Sequence, residues 1–358
     1  MNFDLTDEQR MMAETLRGLL AAECTPARLR RQLAEGLARD PARWRRLTDL
    51  GLLGALAPES HGGLGLQAID LIAPAEVCGY FALPEPLVEQ AGVVVPLLAE
   101  VETPLTAAWL QRVIRGEVTV AIGHPANPFV SDADTAGALV LAHEGELHLI
   151  EPGEAALVRQ ESVDPFRRLF RVDWTPRAKT RIAEGAQAAA VLDRALDHGA
   201  LFAAAQLLGL AQRSVDLATA YAKERIQFGR PIGGYQAVKH LLANVQVKIE
   251  FARPVAQAAA AQIENGDLFA KARVSHAKLA AGEAADLAAR TAVQVHGAMG
   301  YSWEVDVHFY LKRALALTHA WGAPAFHRQR VIDRIRRGPL GPDQTFATAS
   351  SESETTHA

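Results

Sequence analysis

The chain has 358 residues, 49% of them apolar, with a formal net charge of −4 and a pI near 6.3. That apolar content suffices for two or three packed units and excludes global disorder, and the slight acidity gives no electrostatic reason to expect nucleic acid or an anionic membrane as partner. Cys24 and Cys78 are the only cysteines and stand outside metal-ligand or disulfide-framework spacing, which fits a reducing cytoplasm; neither an export signal nor a spanning apolar run is visible.

Residues 1–115 read as a helical N-domain. Thr6, three residues before Gln9, predicts a capping box that opens a helix with Met12, Leu16, Leu19 and Leu20 on one face. Leu50-Gly51-Leu52-Leu53-Gly54 then leads into Ala57-Pro58-Glu59-Ser60-His61-Gly62-Gly63-Leu64-Gly65-Leu66, a turn-rich element bracketed by helices. Residues 116–180 read as a small β-domain, with strands at 118–122, 138–142, 146–150 and 171–174 and a hairpin turn at His143-Glu144-Gly145-Glu146. Residues 181–337 return to helical periodicity, with helices near 191–224, 236–265, 269–296 and 305–335 that suggest an antiparallel four-helix bundle. The Ser-, Thr- and Glu-rich segment 338–358 is expected to be a disordered tail. The fold class predicted is mainly α with a small β-domain (α+β).

Three segments carry chemistry. The first runs from Tyr221 through Arg225, Gln227, Phe228, Gly229 and Tyr235 to Gln236. An arginine of permanent charge beside a glycine that admits close backbone approach suits a pyrophosphate; the plainer reading is a helix end held by an Arg–Glu pair. The second is Gln294-Val295-His296-Gly297-Ala298-Met299-Gly300-Tyr301, where His296 reads as a hydrogen-bonding residue at a helix end. The third is Lys312-Arg313-Ala314-Leu315-Ala316-Leu317-Thr318-His319-Ala320-Trp321-Gly322-Ala323. There is no Gly-x-Ser-x-Gly elbow, no phosphate-binding Gly-x-x-x-x-Gly-Lys-Ser/Thr and no histidine pair at metal spacing.

These segments, with the glycine-rich N-domain element, resemble the acyl-CoA dehydrogenase family from Phe3 to about Arg337. The first is similar to the family's Arg-x-x-Phe-Gly-x-x-Ile-x-x-x-Gln signature, and the second to Gln-x-x-Gly-Gly-x-Gly-Tyr/Phe, with Ala298 in place of the second glycine. The resemblance implies a helical N-domain, a short middle β-domain, a C-terminal four-helix bundle and tetramers built as pairs of dimers. It also implies FAD shared across a subunit interface, with Arg225, Gln227, Phe228, Tyr235, Gln236, Gln294, Val295, His296, Gly297 and Ala298 as cofactor-binding residues. In the family, the Thr-Glu-Pro-x-x-Gly-Ser-Asp pattern of the middle domain meets the flavin ring. Its nearest counterpart here, Gly123 to Asp132, lacks the Thr-Glu pair.

The family's catalytic glutamate stands where this chain has Trp321, and counting back from Gly209-Leu210-Ala211-Gln212-Arg213 puts Gly199 and Ala200 at the other known base position. An indole N–H donates a hydrogen bond but is no base near neutral pH. Asp197 and His198 lie just upstream; Asp197 reads as a helix-start residue. The expectation is a non-catalytic subunit of a flavin-dependent acyl-CoA dehydrogenase acting on a bulky, steroid-type CoA thioester. A second subunit with the glutamate would bind most of the substrate, and an electron-transfer flavoprotein would accept the electrons. A self-sufficient dehydrogenase with a relocated base and a scaffold that binds neither flavin nor substrate are the alternatives.

Overall fold

The computed structural model describes residues 3–266 and 268–337; the tail expected to be disordered lies outside them. Among the described residues, seven helices come first: α1 (Asp7–Glu23), α2 (Pro26–Ala34), α3 (Pro41–Thr48), α4 (Ala68–Tyr80), α5 (Leu87–Glu89), α6 (Val95–Val101) and α7 (Pro104–Ile114), with a π-helical turn at Gln90–Val94 joining α5 to α6. The Thr6/Gln9 capping box forms as the spacing predicts. Leu16 and Leu20 are buried, while Met12 and Leu19 pack at the rim of the same core. In the glycine-rich element, Gly62 and Gly65 adopt positive φ and Gly63 lies against the Ala57 backbone with no room for a methyl, so these glycines serve the turn.

Seven strands follow: β1 (Val120–Gly123), β2 (Val130–Ser131), β3 (Ala138–His143), β4 (Glu146–Ile150), β5 (Ala155–Gln160), β6 (Leu169–Trp174) and β7 (Arg181–Glu184). They form one sheet in the order β1-β3-β4-β7 and a second in the order β2-β6-β5. Between β3 and β4, Glu144 and Gly145 both have positive φ, as a two-residue hairpin turn requires. Sequence reading omits β2, β5 and β7. Strand β2 is only two residues long, and β5 alternates half-buried and exposed positions without a strong apolar face.

The remainder comprises α8 (Gly185–Glu224), a short hairpin of β8 (Ile226–Gln227) and β9 (Arg230–Pro231), α9 (Gln236–Ala260), α10 (Leu268–His296), α11 (Val307–His319) and α12 (Pro324–Arg337). Two expectations are corrected here. The helix expected at 305–335 is two helices, because Trp321 and Gly322 take positive φ and Pro324, lacking an N–H, can only open a new helix. Asp197, expected at a helix start, lies well inside the 40-residue α8, where its carboxylate accepts a 2.6 Å hydrogen bond from Arg330 of α12. Among the described residues, no helix is long and apolar enough to cross a membrane.

Helices α4 and α8 touch backbone to backbone. A methyl built on Gly209 would collide with the Glu76 carbonyl, and one on Gly79 with the Gln206 carbonyl. A tightly packed crossing with no flexible side chain to yield predicts that Gly209→Ala costs about 1–3 kcal/mol. The check is a lower denaturant midpoint at an unchanged m-value.

Candidate functional site

A cleft opens where the N-terminal helices, the β region and helices α8 and α11 meet; Glu89, Asn127, Asp132, Arg167, Gly199 and Trp321 are among its walls. Trp321 and Gly199 meet in its wall. The indole is 6% exposed and lies flat enough on α8 that a methyl at Gly199 would collide with it. The two positions at which the sequence resemblance expects a base are thus neighbours in space, with the Trp321 indole against Gly199.

The α11–α12 break that holds Trp321 is secured on several sides. The Trp321 N–H donates to Asn127 Oδ1 at 2.7 Å, tying the break to the segment between β1 and β2. The Trp321 carbonyl accepts from His327 Nε2 at 2.9 Å, leaving Nδ1 to accept from the Ser275 hydroxyl at 3.1 Å. Burial, with Lys278 nearby, pushes the His327 imidazole down to about 4, so it stays neutral near pH 7. The buried Lys278 ammonium donates to the Leu317 and Thr318 carbonyls at 2.6 and 3.0 Å, where α11 runs out of its own partners.

No histidine beside Trp321 is free to act as a base. His124 lies 5.9 Å from the indole, ring centre to ring centre. Its Nδ1 accepts from the Ala126 N–H at 3.0 Å, so Nε2 carries the proton and donates to the Leu192 carbonyl at 3.0 Å; burial lowers its pKa. Asp197 and His198 open instead on a separate hollow with Glu264 and Lys271. His198 donates from Nδ1 to the Gly92 carbonyl at 2.9 Å.

Sequence reading misses Glu89. No motif marks it, and only the turn of α5 into the π segment brings it to the cleft. It keeps partial access to solvent, yet its carboxylate is enclosed by protein. Burial and then Asp132 push its pKa up to about 7, against the pull of Arg167 and Arg39. The cleft holds about 90 Å³, against the roughly 300–1,000 Å³ of ordinary small-molecule sites.

The residues named from the other two motifs come together far from this cleft. Arg225 caps α8 about 39 Å along the helix axis from Gly199, at ~1.5 Å per residue. Tyr221, one turn before it, stacks on His296 at the end of α10 at 4.2 Å, and Ala222, Val295 and Val307 share one apolar cluster beneath. His296 donates from Nδ1 to the Ala292 carbonyl at 2.7 Å, a hydrogen bond within its own helix end. Gly229 and Gly297 take positive φ and are both exposed. Arg225, Gln227, Gln236, Gln294 and Ala298 are exposed, Val295 is buried, and Phe228 projects 93% exposed at the hairpin tip. Tyr235 packs under the Arg230 guanidinium at 4.0 Å and donates from its hydroxyl to the Gln227 carbonyl at 3.3 Å. Arg225 forms no ion pair with any described residue, contrary to the plain helix-end reading.

The groups at this end that could hold an anion are the Arg225 guanidinium and the exposed amides of Gln227, Gln236 and Gln294, beside the uncovered ring of Phe228. The segment between β1 and β2 does not offer a matching ring site, since Asn127 and His124 are already committed around Trp321.

The comparisons agree with this architecture. The N-terminal domain model of acyl-CoA dehydrogenases matches residues 6–117, and the C-terminal domain model matches residues 188–336. The acyl-CoA dehydrogenase IpdE2 of Mycobacterium tuberculosis is 32% identical over 335 residues, covering 93% of this chain and 99% of the relative. IpdE2 of Mycolicibacterium smegmatis is 31% identical over 333 residues, covering 91% and 98%. Among solved structures, the ChsE4-ChsE5 complex of M. tuberculosis superposes with a TM-score of 0.81 at 23% identity, covering 95% of this chain and all of that chain. Butyryl-CoA dehydrogenase of Megasphaera elsdenii gives 0.82 at 20%, covering 94% and all. With both terminal domains matched and a relative alike along nearly its whole length, the chain belongs to the acyl-CoA dehydrogenase family.

Proposed function

We propose that this chain is a subunit of a flavin-dependent acyl-CoA dehydrogenase that lacks its own catalytic base and completes the FAD site of a partner subunit. The observation that carries the reading is the indole of Trp321 packed on Gly199, which fills both base positions at once. The family reaction needs a positioned base for the α proton and hydrogen bonds to the thioester oxygen; FAD, where bound, accepts the hydride. This chain's residues hold Trp321 in place and close the cleft around it.

The long span of α8 supports the second half of the proposal. Arg225, about 39 Å from the cleft of its own chain at ~1.5 Å per residue, lies farther away than one dinucleotide reaches, so its guanidinium suits a cofactor held by a neighbour. Arg225 and the backbone around Gly229 would take the pyrophosphate, and Gln294 with the Gly297 turn the adenosine end. The relatives named for complexes and acyl-CoA dehydrogenation favour a paired assembly over a scaffold, and a bulky CoA thioester bound by the glutamate-bearing partner remains the substrate class we infer. An electron-transfer flavoprotein is the redox partner this implies.

One observation favours a second reading. Glu89 is a carboxylate at the cleft with a pKa near 7, the property of a relocated base. Glu89→Gln in the assembled enzyme separates the two: a base loses several decades of kcat, whereas the subunit reading predicts turnover at the normal rate.

Purified alone, the chain should be colourless and inactive on acyl-CoA substrates, and Trp321→Glu should not restore turnover. Yellow homotetramers that turn over any acyl-CoA would overturn the proposal. In the complete complex, Arg225→Ala should remove a charge-assisted contact worth about 1.5–3 kcal/mol, a tenfold to hundredfold loss of FAD affinity that excess FAD reverses. Flavin content per complex, titrated against added FAD, is the measurement.

A further inference from the structure

Val93, a wall of the Trp321 cleft, also lines a second hollow, where α6, α8 and the glycine-rich element of the N-domain meet. The lining of this hollow is largely apolar, with Leu66, Leu97, Val191 and Ala195 among its walls. Along α8 that lining runs from Val191 to His198, about 10 Å at ~1.5 Å per residue. Its charge is one-sided. Among the described residues that line it, Arg194 is the one lysine or arginine, and its guanidinium is bound to Glu100 at 2.6 Å. Glu102 and Glu264 line the same hollow, and neither is paired with a lysine or arginine among the described residues.

His198 stands at the far end of the α8 wall and is only 8% exposed. Its Nδ1 donates to the Gly92 carbonyl at 2.9 Å, and burial holds the imidazole below its usual pKa, so Nε2 carries a free lone pair. No hydrogen-bond donor among the described residues reaches that nitrogen. The group beside it is a second acceptor, Glu264 Oε1, 3.8 Å away and beyond hydrogen-bond reach. The nearby cations are committed elsewhere: Lys271 to Asp193, Arg330 to Asp197 and Arg194 to Glu100. An acceptor buried without a donor is costly, and here it faces a hollow that a ligand can enter.

We propose that this hollow binds a primary amine with an apolar body, its ammonium shared between His198 Nε2 and the Glu264 carboxylate and its body laid along α8 toward Val191. Two acceptors 3.8 Å apart both come within about 2.9 Å of one donor nitrogen placed between them. An ammonium has three donors on that single nitrogen, enough for both acceptors with one left for water. A hydroxyl has one donor and no charge, and a carboxylate has none and meets the unpaired Glu102 and Glu264 with like charge. The α8 wall sets the length of the body at about 10 Å.

The test is calorimetric titration of hexylamine, hexanol and hexanoate into the full chain at neutral pH and fixed ionic strength. Hexylamine should saturate at one per chain, hexanol should bind at least about tenfold more weakly for want of the charge-assisted contacts, and hexanoate should not bind. Glu264→Gln keeps the shape of a mostly exposed side chain and removes its charge, so it should weaken hexylamine about tenfold and leave hexanol unchanged. Absence of saturable binding, which would leave the two acceptors to a bridging water only, would overturn the assignment. So would hexanol binding as tightly as hexylamine, or a Glu264→Gln chain, with its fold checked by thermal melting, that keeps the wild-type affinity for the amine. Because affinity is read without flavin, partner or turnover, failure here leaves the subunit role standing.

Discussion

The contact of one indole with one glycine organises the functional end of this molecule. For Trp321 to lie on α8, residue 199 must have no side chain, and the chain after α11 must leave the helix in a left-handed turn. Positive φ at a residue as bulky as tryptophan costs on the order of 1–3 kcal/mol and persists only where surrounding contacts impose it. Asn127 on the backbone N–H, His327 on the carbonyl and Lys278 on the end of α11 impose it here. Such strain clusters at functional sites; here it holds an indole, which is no base near neutral pH, against Gly199.

Helix α8 separates that contact from the exposed hairpin at its far end. Forty residues without a proline form a rod of about 60 Å, at ~1.5 Å per residue, with Gly199 nearer its start and Arg225 at its end. One end is closed and carries a small charged cleft, and the other is exposed, basic and aromatic. An element this long cannot serve one ligand with both ends.

Three ion pairs cross the junction between the three parts of the chain, which also share one continuous apolar core. The buried Arg43–Glu85 pair binds the α2–α3 region to the segment before α5, Arg39–Asp132 joins it to the β region, and Arg313 reaches both Asp164 and the Leu83 carbonyl, the latter at 2.8 Å. Buried pairs add little net stability against apolar replacements, since desolvation offsets their attraction, but removing one partner leaves an uncompensated charge at a cost of about 3–5 kcal/mol. They act here as registration points that accept only one arrangement of helices and strands.

Local chemistry was legible from the residues alone. The Thr6/Gln9 box, the Glu144-Gly145 turn, the start of α9 at Gln236 and the stop of α10 at His296 each depend on a few neighbouring residues, and each formed where the spacing placed it. Strand β5 was not legible, because its faces differ little in polarity, and the α11–α12 break was hidden by apolar periodicity although Pro324 marked it. The sequence by itself determined that no glutamate stands at 321 and none at 199 or 200, because side-chain identity is a local fact. Only the tertiary structure decided that 199 and 321 are neighbours, that Asp197 belongs to Arg330, and that Glu89 turns into the cleft. Those meetings join residues far apart in the chain, and packing, hydrogen bonding and desolvation across helices select them.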